Sequence, residues 1–76
     1  MIAYLEGRVG QVFEHGCLVI TAGGVGYEVG LPTHTLAALS APGEAVCLYT
    51  ITVVREDALE LYGFSSWDER QTFLVL

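Results

Sequence analysis

A chain of 76 residues that is 53% hydrophobic and only 16% charged reads as one small folded domain, and excludes a multidomain enzyme, a disordered tail and a collagen-like polymer. Lysine is absent and three arginines face nine acids, for a formal net charge of −6, which argues against a free-standing binder of DNA backbone or anionic lipid. A domain of this size buries only about 60% of its unfolded surface, so some of this apolar surface is expected to meet another chain or a further domain.

From Ile2 to Phe13, Ala3, Leu5, Gly7 and Val9 alternate with Tyr4, Glu6 and Arg8, the period of a half-buried strand. Gly7 and Gly10 are expected to let it bend or bulge. Glu14-His15-Gly16 reads as a turn into the β-branched run Cys17–Thr21, and Ala22-Gly23-Gly24 turns again into Val25–Leu31. Three hairpin-linked strands make a meander. After Pro32, Thr33 is expected to cap a short helix carrying Leu36, Ala37 and Leu39, stopped by Pro42-Gly43. Ala45 to Val54 is a fourth strand, apolar on both faces and therefore expected to be covered on both. Arg55-Glu56-Asp57 interrupts before a fifth strand, Ala58 to Phe64.

This β-β-β-α-β-β order is that of an OB-fold, a partly open five-stranded Greek-key barrel. An SH3-like barrel is the runner-up, disfavoured by the helix. The OB-fold domain is placed at residues 1–64, and residues 65–76 begin a second helix. There Ser66-Trp67-Asp68-Glu69 reads as a capping box with acids in the first turn. The apolar stretch Phe73-Leu74-Val75-Leu76 ends without a capping residue, so the helix is expected to continue into a further domain.

The start of the chain lacks the basic and apolar regions of a signal peptide, and no apolar run reaches membrane-span length, so the expected address is the cytoplasm. Cys17 and Cys47 each sit alone in strand-like apolar runs and read as free buried thiols rather than a disulfide. No cofactor, metal or catalytic residue is expected. Gly23-Gly24-Val25-Gly26 cannot be a Walker A loop without lysine and reads as a hairpin turn. His15 and His34 stand at no metal-ligand spacing, and the serines and cysteines have no adjacent base. The aromatics read as core or interface rather than a base-stacking platform, which would need a basic groove.

Glu56 and Asp57 are the one constellation that carries a functional hypothesis. Adjacent carboxylates on a loop tip are both solvated, which does not suit paired acid and base catalysis. On spacing alone they are ordinary turn residues. Their place between the fourth and fifth strands raises the alternative, because OB-folds use that loop to meet ligands.

Val53-Val54-Arg55-Glu56-Asp57-Ala58-Leu59-Glu60-Leu61-Tyr62-Gly63-Phe64 resembles the V-R-E-D-x-x-x-L-Y-G-F signature of the RuvA family, Holliday-junction-binding subunits of the bacterial branch-migration complex. Met1-Ile2 with Leu5 and Gly7, the run Gly24–Val29, and Glu69-Arg70 support the likeness, which covers all 76 residues. It is a likeness to the N-terminal domain alone. The family continues into two helix-hairpin-helix motifs and a small C-terminal domain that binds the RuvB motor. The resemblance implies a non-catalytic subunit of an ATP-dependent DNA helicase in recombination, repair and the SOS response. The partners it implies are four-way junction DNA, a homotetramer, RuvB and the RuvC resolvase. It maps the family's acidic pin onto Glu56 and Asp57, which repel phosphates at the crossover within a Debye length of about 8 Å. Arg55 either contacts a phosphate or pairs with Glu56 or Glu60. The alternative function is a stand-alone OB-fold oligomerisation or protein-interaction module with no DNA role.

Overall fold

Strand alternation and turn chemistry carry directly into the computed structural model, which describes residues 1–75. The elements are β1 (Tyr4–Val12), β2 (Gly16–Ile20), β3 (Gly26–Gly30), α1 (Thr33–Ala37), β4 (Ala45–Val54), β5 (Leu59–Phe64) and α2 (Trp67–Val75). The expected run of the last helix through Leu76 lies outside the described residues. The strands close into a barrel in the order β1-β2-β3-β5-β4, an OB-fold. All neighbours are antiparallel except β3 and β5, so the chain must cross over between them, and α1 lies on that crossover.

Opposed residues share a face of the sheet. Leu5 opposite Leu48, Val9 opposite Val19 and Cys17 opposite Val29 therefore all point into the barrel. Leu5, Cys17, Val19, Val29, Leu31 and Leu48 form the core, each large apolar side chain contributing about 1.5–3 kcal/mol by leaving water. Gly63 faces the same interior, where an added Cβ would stand 2.9 Å from Val29 Cγ1 and 3.1 Å from Leu48 Cδ1. The expected irregularity in β1 falls at Gly10, where the register shifts between Val9 and Gln11. Burial pushes the Cys17 thiol pKa up, because the thiolate is disfavoured away from water.

Three expectations are corrected. Cys47 is free but exposed. It stands opposite Glu6 on the outside of the barrel, so the double coverage expected of β4 holds only further along, at Tyr49 and Ile51. Thr33 is not the cap of α1. Pro32 occupies that position with no side-chain hydrogen bond, because its fixed φ already suits a helix entrance. The helix also stops at Ala37, leaving Leu39 beyond it, although Leu39 still packs against the core.

Helix α2 covers the outside of β4 and β5. Trp67 meets Tyr49 edge-on with ring centroids 5.9 Å apart, and Phe73 lies 5.1 Å from Phe64 and 6.3 Å from Tyr62. Ser66 Oγ accepts the Glu69 N–H at 3.2 Å, one half of the expected capping box. The Glu69 carboxylate turns instead to α1, accepting from His34 Nε2 at 2.7 Å and from the Thr35 hydroxyl at 3.5 Å.

Arg70 fixes the helix to the barrel. It is 4% exposed, its Nε donates to the Thr50 carbonyl at 2.6 Å, and its Nη1 donates to Gln71 Oε1 at 2.7 Å. Nη2 lies 3.0 Å from Met1 Sδ, and the guanidinium sits 4.6 Å from the Trp67 ring centre. Thr50 itself holds the N-terminal segment, donating its N–H to Ala3 O and its hydroxyl to Ile2 O. One buried cation thus ties helix, strand and amino terminus together.

Arg70→Ala removes a charge-assisted hydrogen bond of about 1.5–3 kcal/mol. A melting temperature roughly 10 °C lower is the expected outcome, and a change within about 2 °C contradicts the anchoring role. The contact with α1 adds a pH dependence. The His34 hydrogen bond holds Glu69 below the usual carboxylate range, assisted by the Ser65 backbone and the Thr35 hydroxyl and opposed by burial. A folded-state pKa lower than the unfolded one gives stability that is present above the unfolded value and lost as pH falls through the folded one. Urea unfolding between roughly pH 6 and pH 3 should therefore show a shallower acid-side loss for Glu69→Gln than for the parent chain, and identical slopes contradict the linkage.

Candidate functional site

The ladder between β4 and β5 is continuous from Tyr49 opposite Phe64 to Val54 opposite Leu59. Arg55 N–H donates to the Ala58 carbonyl at 2.8 Å, closing a loop that consists of Glu56 and Asp57. Among the described residues no non-glycine residue takes a positive φ, so this is not a primed hairpin turn and has no need of Asn or Gly.

The position of this loop follows from a mismatch of lengths. Val54 and Leu59 occupy inward-facing register positions, yet they are 74% and 72% exposed. The hairpin has run past the rim of the barrel, where no opposing strand remains to cover them. Arg55, Glu56, Asp57 and Ala58 are all exposed. The sequence-derived site residues are thus adjacent at the tip of a projecting two-stranded arm, with an uncovered apolar pair at its base.

Arg55 does not neutralise the tip. Its Nε donates to Glu60 Oε1, and this pairing holds the guanidinium pKa above its ordinary value. Tyr62 OH donates to Glu60 Oε2 at 3.4 Å, so β5 supplies a small network that draws Arg55 back along the strand. Among the described residues, Glu56 and Asp57 have no ion-pair partner. The other two cations are also engaged, Arg8 Nη1 with the Gly43 carbonyl at 2.9 Å and Arg70 in the α2 anchor. This arrangement gives phosphate little cationic surface and presents concentrated negative charge at one point. It can repel an anion and hold charge at a defined place.

Sequence reasoning found the tip and left the partner of Arg55 open, and it missed the anchoring role of Arg70. Glu60 was recognisable as one of several options for Arg55, and its place on the outer face of β5 decides between them. Arg70 was noticed only within the Glu69-Arg70 likeness and its burial was not, since burial of a cation depends on the carbonyl waiting at Thr50. Elsewhere, Glu6 Oε2 accepts from Tyr4 OH at 3.0 Å, which with Cys47 pushes the Tyr4 pKa up to about 12. Among the described residues no group of His, Cys, Asp and Glu is placed to hold a metal ion, and no helix is long and apolar enough to cross a membrane.

A family model described as the RuvA N terminal domain matches residues 1–63. The chain is 71% identical over its full length to the Holliday junction branch migration complex subunit RuvA of Oleidesulfovibrio alaskensis, spanning 38% of that relative. It is 62% identical to the subunit of the same description from Nitratidesulfovibrio vulgaris, again across 38% of its length. The corresponding subunit of Mesorhizobium japonicum is 50% identical over 76 residues, 36% of its length. The chain therefore spans well under half of the curated relatives that it matches.

Proposed function

The chain belongs to the RuvA family, and from that membership we propose that it is the N-terminal domain of a Holliday-junction branch-migration subunit, acting through the carboxylates of Glu56 and Asp57. The observation that carries the proposal is the projecting β4–β5 arm, whose tip holds two exposed carboxylates while Arg55 is withdrawn onto Glu60. Four copies assembled about a square would bring four such tips to the crossover. The uncovered Val54 and Leu59 at the base of each arm favour such self-association, since exposed apolar patches mark contact surfaces.

Charge decides what the tips do. Two unit charges about 4 Å apart interact by roughly 1 kcal/mol in bulk water and by more where water is excluded. Acids at a crossover hold phosphates apart, favour an open junction and help part the strands as duplex is drawn through. Attraction has to come from elsewhere, because each arginine of this domain has an internal partner. We assign it to the neighbouring region present in longer relatives, which in the family carries the helix-hairpin-helix units. ATP hydrolysis belongs to the RuvB motor in this scheme, the RuvC resolvase joins the same complex, and the domain performs no catalysis. The setting is the cytoplasm, where the DNA is.

Replacing Glu56→Gln together with Asp57→Asn in the full-length protein tests the role of charge. Junction affinity should stay the same or tighten by up to about tenfold, worth roughly 1.4 kcal/mol. The rate of branch migration should change, and the preference for a four-way junction over linear duplex should narrow. A drop in junction affinity of about a thousandfold, the size expected from losing several phosphate contacts, contradicts the proposal.

A further inference from the structure

The barrel has an incompletely zipped seam. Thr21 N–H bonds to Val25 O and Leu31 N–H bonds to His15 O, which marks residues 25, 27, 29 and 31 as those whose backbone groups face β2. In antiparallel alternation Gly26, Glu28 and Gly30 turn theirs toward β5. Yet β3 pairs with β5 only through Val29 with Leu61 and Gly30 with Tyr62. Toward Gly26 the strands part, so part of the β3 edge has no strand beside it.

Two features keep the seam closed at one end and open at the other. At Gly30 an added Cβ would lie 3.1 Å from the Tyr62 ring, so the missing side chain permits close approach there. Continuing the parallel register past Val29 would set Glu28 beside Glu60, and like charges directly opposite are unfavourable. A groove of about 590 Å³ lies over the zipped end of this seam, at Val29, Gly30, Leu61 and Tyr62, and reaches the opening at Glu28; Phe13 and Glu14 also line it. That volume is within the range of about 300–1,000 Å³ typical of binding clefts. Its walls carry Phe13, Tyr62 and the exposed Leu59, and its banks carry Glu14, Glu28 and Glu60. The facing charges of opposite sign are Arg55, which is paired with Glu60, and His15 when protonated, 3.7 Å from Glu14.

We propose that this seam is a docking groove for a short extended segment of a partner protein, basic and apolar at alternate positions, which adds as a strand to the free edge of β3. Main-chain bonding to Gly26 and to the Glu28 N–H would supply affinity, and the apolar side chains would reach Phe13 and Tyr62 in the adjoining groove, as in strand addition to other exposed edges. Charge complementarity selects the occupant. The acidic banks favour lysine or arginine on the outer positions and oppose a nucleic-acid strand. The inference stands on the barrel alone and does not depend on the junction reading.

A labelled peptide of alternating lysine and valine, titrated into the full-length protein with hydrogen exchange as the second readout, tests it. Binding should slow exchange at residues 26–28. N-methylation of alternate peptide amides, Lys-to-Glu replacement in the peptide, and Glu28→Lys in the protein should each weaken binding by about tenfold or more, about 1.4 kcal/mol. Equal affinity for the N-methylated peptide overturns strand addition, and equal affinity for the acidic peptide overturns the charge argument. Slow exchange at residues 26–28 that is already present without peptide and unchanged by it assigns the seam to a second copy of the chain. Protection there by a single-stranded oligonucleotide assigns it to nucleic acid, and either result overturns the proposal.

Discussion

Everything at the candidate site depends on one constraint, that β4 and β5 pair over a longer stretch than the barrel can enclose. The ladder from Tyr49–Phe64 to Val54–Leu59 serves closure at one end and projection at the other. At the closed end Thr50 and Gly63 lie opposite each other, Gly63 leaving room for Val29, Leu31 and Leu48 in the core. At the open end the same register continues, but Val54 and Leu59 have nothing to pack against. A two-residue loop then fixes Glu56 and Asp57 at the extremity. A rigid paired arm can place charge at a defined point, which a longer loose loop could not do without paying more conformational entropy.

Electrostatic design in this domain works by withholding cations. Arg8, Arg55 and Arg70 each donate to an internal acceptor, and there is no lysine to replace them. Arg70 gains most from its site, since burial removes water competition for the Thr50 carbonyl and the Trp67 face. Arg55 is more exposed, so its pair with Glu60 contributes modestly to stability. Its larger consequence is local. With Arg55 drawn along β5, the negative charge of the tip stands without a counterion from its own chain.

Much of this architecture was legible in the sequence because period-two alternation and turn chemistry are local. The bounds of β4 were readable at both ends, Gly10 was readable as a bulge, and the Glu56–Asp57 turn was readable between two strands. The misreadings were tertiary. Cys47 looked buried because its neighbours are apolar, but α2 covers β4 only further along. Thr33 looked like a cap because threonine suits that position, although Pro32 already held the entry. The capping box at Ser66 formed only halfway because Glu69 found His34 across the fold. The anchoring role of Arg70 was invisible for the same reason, as no local pattern announces the carbonyl that it meets twenty residues away at Thr50.

The most direct test of the central claim is to locate the tip on DNA. An iron chelate attached through Asp57→Cys, in full-length protein carrying Cys47→Ser to remove the exposed native thiol, cuts nucleotides within its reach on a bound four-way junction. Cleavage centred on the crossover in all strands is the predicted result. Cleavage confined to the arms, or none on a bound junction, would contradict the account and leave the projecting carboxylates as ordinary solvated turn residues.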